Sequence, residues 1–168
     1  MGFFARRIWI LLAATWGLVI FDLSRAPYAS ASSRRFLSLA LNWLSISILP
    51  HSLGLLNNLL RKSAHIMEFA VLAVLLYLSL KPTEDSYWSQ KASFWALLAS
   101  GCYSLADELH QVFIPGRHAS LFDCLIDTTG ALLGLFVLSS LIFVMRWKHA
   151  DTAAFTAKHL LRWNETPR

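Results

Sequence analysis

The stretch ADELHQVFIPGRHASLFDCLIDTTGALLG, residues 106–134, crowds Asp107, Glu108, His110, Gln111, Arg117, His118, Asp123 and Asp127 between two runs apolar enough to lie in a membrane. Pro115 and Gly116 in its middle predict a type II turn, with proline fixing φ at the second position and glycine supplying the positive φ of the third. The flanking runs therefore form an antiparallel hairpin. An ionisable side chain at the centre of a membrane helix costs about 2.5 to 3.5 kcal/mol, so such a concentration predicts partners or a task.

Working outward, the remaining sequence has the same character. Apolar residues make up 56% of the 168, charged residues 15%, and the mean hydropathy is +0.50, which excludes an ordinary soluble domain. Four runs, 3–21, 64–80, 87–106 and 121–145, approach the roughly 20 residues a helix needs to cross a bilayer. Polar residues toward one end of three of them require shielding by neighbouring helices. The expected fold is all-α: a polytopic, four-transmembrane-helix bundle over residues 1–146, followed by a basic amphipathic tail, 147–168, whose Lys148, Lys158, Arg162 and Arg168 would meet anionic lipid headgroups. Membrane lipids, and no nucleic acid, are the partners this charge pattern implies.

With four spans both termini share a side, and that side collects Arg6, Arg7, Lys81, Lys91, Arg146 and Lys148. The positive-inside rule makes it cytoplasmic, although Arg25, Arg34, Arg35, Arg61, Lys62 and Arg117 fall on the other. Arg6, Arg7, the first apolar run and Ala29-Ser30-Ala31 imitate a secretion signal, but Asp22 and Arg25 make an awkward approach to such a cleavage site, and the run is read as a retained span. The Ser33-Arg34-Arg35-Phe36-Leu37 sequence imitates a twin-arginine signal only after a complete apolar segment, and is read as coincidence. Cys102 and Cys124 fall in spans and are expected as small apolar residues, with a disulfide as the alternative near an oxidising face.

Between the first two spans a helix over 34–49 is expected, capped by Ser32 or Ser33, closed by Pro50, and carrying Ser38, Asn42 and Ser45 as a narrow polar stripe suited to the outer interface. A second amphipathic stretch, 53–60, runs into span 2 without a break. Asn58, Arg61, His65 and Glu68 then fall within about 80° of one helix face. At the end of span 3, Ser104, Glu108 and Gln111 share a face, and Asp107 pairs with His110 on another. In span 4, Asp123, Asp127, Gly130 and Gly134 lie within about 60°, so two carboxylates stand above a Gly-x-x-x-Gly step that invites close approach of span 2 or 3. The polar ends of spans 2, 3 and 4 are thus expected to meet at the outer membrane boundary.

RKSAHIMEFAVLAVLL, residues 61–76, followed by the opening stretch, resembles the VanZ-like family. The resemblance rests on a Lys-x-x-His step opening one span, a Glu-x-x-Gln near the end of the next, a Pro-Gly-Arg turn, and an Asp leading to Asn-Thr-x-Gly. Carried over by position, it singles out Lys62, His65, Glu68, Glu108, Gln111, Arg117, Asp123 and Gly130, and Asp127 stands where the family has Asn. It implies a bacterial envelope protein whose founding example is tied to resistance toward the glycopeptide teicoplanin, and no known reaction.

Three uses of these residues are open. They can be interhelical ion pairs, with Arg61 or Lys62 bridging Glu68 and Arg117 bridging Asp123 or Glu108, each worth only about 0.6 to 2 kcal/mol in lipid. They can bind: Arg61, Lys62 and Arg117 would hold phosphate while Gln111 and the carboxylates take hydroxyl or amide groups of a lipid-linked envelope precursor or an amphiphilic antibiotic. Or they can catalyse, with His65, Glu68, Glu108, Asp123 and Asp127 holding a divalent metal, or with His65 as a base oriented by Glu68, in a hydrolase or transferase acting on a lipid. No cofactor motif is present: there is no phosphate loop, no Gly-x-Ser-x-Gly elbow and no paired di-metal set.

Overall fold

The computed structural model describes the backbone of residues 3–25, 29–82, 87–113 and 120–164, and the side chains of 4–24, 33–82, 87–113 and 120–148. All of its regular structure is helical: α1 (Phe3–Arg25), α2 (Ala29–Trp43), α3 (Pro50–Leu80), α4 (Gln90–Gln111) and α5 (Leu121–Asn164). Residues 1–135 form one compact unit, and the remainder of α5, from Phe136, forms a second. Among the described residues three helices are long and apolar enough to cross a membrane: Phe4–Ser24, Pro50–Leu80 and Leu121–Lys148. The α4 helix falls outside that set on composition, because its serines, Asp107, Glu108 and Gln111 lower its hydropathy, yet those polar groups are turned inward and buried.

Hydrogen bonds fix the direction of each helix in the first unit. Arg6 Nε donates to the Ser79 carbonyl at 3.1 Å and Trp16 Nε1 to the Glu68 carbonyl at 2.9 Å, so α1 and α3 are antiparallel. The Tyr103 hydroxyl donates to the Gly17 carbonyl at 2.6 Å, and Ser24 Oγ donates to Asp107 Oδ2 at 2.8 Å, so α4 runs parallel to α1. Ser104 against Asp127 and Glu108 against Ser120 make α4 and α5 antiparallel. The C-terminal ends of α1 and α4 therefore stand beside the polar part of α3 and the start of α5. Around them Ile20, Phe69 and Leu72 pack with Trp16, Leu76 and Tyr103. Large apolar side chains such as Phe4, Leu18, Met67, Phe94, Leu105 and Leu132 point outward, as expected where the surrounding solvent is lipid.

Several boundaries differ from the sequence reading. Pro50 does not close the helix expected between the first two spans. It sits in the first turn of α3, where its missing N–H costs nothing. What ends α2 is Ser45 at φ 58°, with the Ile46 N–H donating back to the Leu41 carbonyl and the Ser45 N–H to the Asn42 carbonyl, a left-handed cap of the Schellman kind. Since α2 begins at Ala29, Ser33 is no cap either; its hydroxyl donates to Oδ1 of the buried Asn57 on α3 at 2.8 Å. The α4 helix starts later than expected because Ser89 caps it, accepting from the Ala92 N–H, while Trp88 stacks on Tyr77 at 4.4 Å. Cys102 and Cys124 are free thiols. The turn expected at Pro115 and Gly116 lies outside the described residues, as do the tail side chains Lys158, Arg162 and Arg168.

Contact between α3 and α5 is made by backbone. A methyl group added at Gly130 would run into the Ile66 carbonyl and lie 2.8 Å from Ile66 Cα, and one at Gly134 would meet the Ala70 carbonyl and lie 2.8 Å from Ala70 Cα. Both glycines thus face α3 in a common register, and the helices run parallel. A Gly→Ala change in an unconstrained helix gains about 1 kcal/mol of helix propensity, whereas forcing atoms into a packed contact costs about 1 to 3 kcal/mol. Gly130→Ala and Gly134→Ala are expected to lower the thermal unfolding midpoint of the detergent-solubilised protein. Gly101→Ala, whose added methyl meets only Thr128 Oγ1 at 3.8 Å, should leave that midpoint unchanged or raise it.

Candidate functional site

Below the glycine contact the chain is tightly registered; above it the same two helix faces carry polar groups. One turn before Gly130 on α5 comes Asp127, and one residue before Ile66 on α3 comes His65. Their side chains meet with His65 Nδ1 3.4 Å from Asp127 Oδ1. Asp127 is only 1% exposed, and its other oxygen, Oδ2, accepts a hydrogen bond from Ser104 on α4 at 2.7 Å. Three helices therefore converge on one carboxylate. The 3.4 Å separation is longer than a hydrogen bond, and among the described residues neither His65 Nδ1 nor Asp127 Oδ1 has any other hydrogen-bond partner.

A second buried carboxylate lies close by on α4. Asp107 Oδ2 accepts from Ser24 on α1 and from Gln111 Nε2 on α4, both at 2.8 Å, while Oδ1 is buried without a partner among the described residues. The expected pairing of Asp107 with His110 is replaced by this i, i+4 pairing with Gln111. The His110 ring instead lies 4.9 Å from the ring of Phe21. Glu108, also buried, accepts the Ser120 backbone N–H at 2.7 Å. That N–H opens the first turn of α5, where the helix dipole favours negative charge, so the carboxylate ties the end of α4 to the start of α5.

The cations are arranged differently from the ion-pair expectation. Among the described residues neither Arg61 nor Lys62 forms an ion pair with Glu68. These three lie on one helix six or seven residues apart, too far for direct contact between the charged ends as the helix holds them. Lys62 is exposed, with Nζ 4.8 Å from the centre of the Phe122 ring. Arg61 is half-buried. It shares with Asn58, Lys62, His65, Asp123, Ile126 and Asp127 a hollow of about 280 Å³ between α3 and α5. It also lines, with His65, Glu68, Ala64, Leu23, Ser24 and Ser33, a second hollow of about 260 Å³ bounded by α1, α2 and α3. Arg117 and His118 lie outside the described residues.

Of the residues singled out from sequence, His65, Asp123, Asp127, Arg61 and Lys62 thus share one hollow, and Glu68 faces its neighbour. Glu108 and Gln111 are spent on internal hydrogen bonds. The metal alternative gains no geometric support, since no three His, Cys, Asp or Glu side chains among the described residues are grouped closely enough to hold an ion. Sequence reasoning missed Ser24 and Asn57. Both are buried hydrogen-bonding partners, and neither belongs to a motif, because a single serine or asparagine among apolar residues carries no periodic signal.

The Ser104–Asp127 bond is the best-formed polar link among α3, α4 and α5. A double-mutant cycle with Ser104→Ala and Asp127→Ala, read by unfolding in detergent, should return a coupling of about 0.6 to 2 kcal/mol, the range for polar contacts between membrane helices. A coupling indistinguishable from zero would mean that the two side chains do not meet in the folded protein.

A family model described as VanZ/LLP1 matches residues 8–144, which takes in most of α1 and the residues that line both hollows. No curated protein and no solved structure matches the chain.

Proposed function

The chain belongs to the VanZ/LLP1 family, and from that premise we propose that it is a four-span bacterial inner-membrane protein that binds an anionic amphiphile through the hollow between α3 and α5. In this reading α4, 22 residues and about 33 Å long, is the fourth crossing, made inside the bundle with its polar groups turned away from lipid. The α2 helix lies along the outer interface, and both termini are cytoplasmic, as the distribution of Lys and Arg favours. The hollow then opens at the depth of lipid phosphates on the outer side.

The observation that carries the reading is the side-by-side placement of Arg61 and Lys62 in a hollow whose opposite wall is α5. Arg can fork two oxygens of one phosphate and Lys adds a compact charge, and neither is neutralised by an ion pair among the described residues. Sequence adds Arg117 to the set. Asn58, His65, Asp123 and Asp127 would meet hydroxyl or amide groups next to the phosphate. A lipid-linked envelope precursor has this chemistry, and an amphiphilic glycopeptide antibiotic shares part of it.

Native mass spectrometry of protein released from micelles containing phosphatidylglycerol tests the reading. The Arg61→Ala, Lys62→Ala double variant is expected to lose at least about tenfold in retained anionic lipid, more than 1.4 kcal/mol, while its retention of phosphatidylcholine stays unchanged. Equal retention of both lipids by the double variant and the parent would refute it.

A further inference from the structure

The two hollows share a wall, and that wall is Arg61 and His65. On one side, between α3 and α5, the lining is more polar than apolar, with Asn58, Lys62, Asp123 and Asp127 beside Ile126. On the other, bounded by α1 and α2, the exposed surface is mainly apolar, with Leu23 and Ala64 beside Ser24, Ser33 and Glu68. An amphiphile whose headgroup occupies the first hollow can lay the start of its apolar part in the second. The junction between its polar and apolar parts then passes over the His65 ring.

At that junction His65 is held as a base is held. Its Nδ1 faces Asp127 Oδ1 at 3.4 Å, which leaves Nε2 as the nitrogen available to the hollows. Asp127 cannot swing away: it is 1% exposed, Ser104 grips its second oxygen at 2.7 Å, and the backbone contact at Gly130 sets its distance from α3. Oδ1 is a buried acceptor with no hydrogen-bond partner among the described residues, and it is directed at the imidazole. Acid–base pairs are commonly this loose before substrate tightens them. Phe69 and Ala73, on the next turns of α3, are buried in ordinary packing, so the polar arrangement at His65 is local.

We propose that His65 is the general base of an esterase site, with Asp127 as its positioning residue, and that the substrate is a single-chain anionic glycerophospholipid whose carboxylic ester lies against Nε2. This rests on the binding reading above. With the phosphate held by Arg61 and Lys62, the first electrophile met on the apolar side of the glycerol is that ester carbonyl. In the step, a water molecule gives a proton to Nε2 as its oxygen bonds to the acyl carbon. The bond from that carbon to the glycerol oxygen breaks, and the imidazolium returns the proton to the leaving alkoxide. The products are a fatty acid and a glycerophosphate derivative. Water is the co-reactant, and nothing is oxidised or reduced.

Purified full-length protein in micelles is incubated with 1-oleoyl lysophosphatidylglycerol and, separately, 1-oleoyl lysophosphatidic acid. Lipid retention is read by native mass spectrometry and oleate release by chromatography. The expected result is oleate release above the protein-free rate, lowered about 100-fold or more by His65→Gln. External imidazole should restore turnover to His65→Gly, which no purely structural role of the ring would allow. Asp127→Asn is expected to lower kcat with KM unchanged. If the parent protein retains these lipids and releases oleate only at the protein-free rate, or releases phosphate or glycerol instead, the esterase assignment is overturned and the binding reading stands. If it retains neither lipid, both fall. The parent protein alone decides these outcomes, so a variant that does not fold leaves the test intact.

Discussion

The close backbone contact between α3 and α5 is the constraint from which the rest follows. In lipid there is no hydrophobic drive to press two helices together, so the approach depends on packing and on small residues that permit it. Gly130 and Gly134 meet Ile66 and Ala70 with no room for even a methyl group. Two such points, each four residues apart on its own helix, fix register as well as distance. Once they are fixed, Asp127 must stand opposite His65, and Phe122 and Asp123 must stand beside Lys62 and the rest of the upper hollow. A side chain at either glycine would spread the helices and carry Asp127 away from both His65 and Ser104.

The second constraint is that a buried polar group needs a partner. Asp107, Glu108 and Asp127 meet it with neutral donors on one oxygen each. Asp127 takes Ser104, Asp107 takes Ser24 and Gln111, and Glu108 takes the Ser120 N–H. These donors come from other helices in three of the four cases counted by partner: α1 for Asp107, α4 for Asp127 and the start of α5 for Glu108. Each of those three bonds therefore also ties one rod to another, and the up-and-down order of α1, α3, α4 and α5 brings them to a single end of the first unit.

Much of this was legible in the sequence wherever the helical period carries the information. The Asp123, Asp127, Gly130, Gly134 face could be read because residues three and four apart must share a side, and the stripe Asn58, Arg61, His65 could be read for the same reason. The boundaries of α2 could not. Pro50 is compatible with ending a helix or with opening one, and the choice was made by Ser45 adopting a left-handed conformation that serine seldom takes and no propensity foretells. The ion pairs expected between Arg61 or Lys62 and Glu68 failed on another ground. Opposite charges on one helix invite pairing on paper, but at six or seven residues the charged ends stand one to two turns apart. The partners actually used, Ser24 for Asp107 and Ser104 for Asp127, come from the tertiary crossing of helices, which periodicity does not contain.

This division of partners bears on what the cluster is for. If its residues served only to hold helices together, the economical arrangement would be to let Arg61 and Lys62 neutralise the carboxylates, since each unpaired charge at this depth is costly. Among the described residues Asp107, Asp127 and Glu108 instead each take neutral donors on one oxygen, from serine, glutamine or backbone, and Arg61 and Lys62 line hollows. His65 stands between, its Nδ1 against a buried aspartate and its ring along both hollows. Ser104 holds Asp127 Oδ2 while Oδ1 faces the imidazole, and among the described residues neither Arg61 nor Lys62 is in an ion pair, which supports the proposed binding of an anionic group from outside. Adhesion alone does not account for Arg61 and Lys62 lining one hollow with Asp123 and Asp127 while forming no ion pair among the described residues.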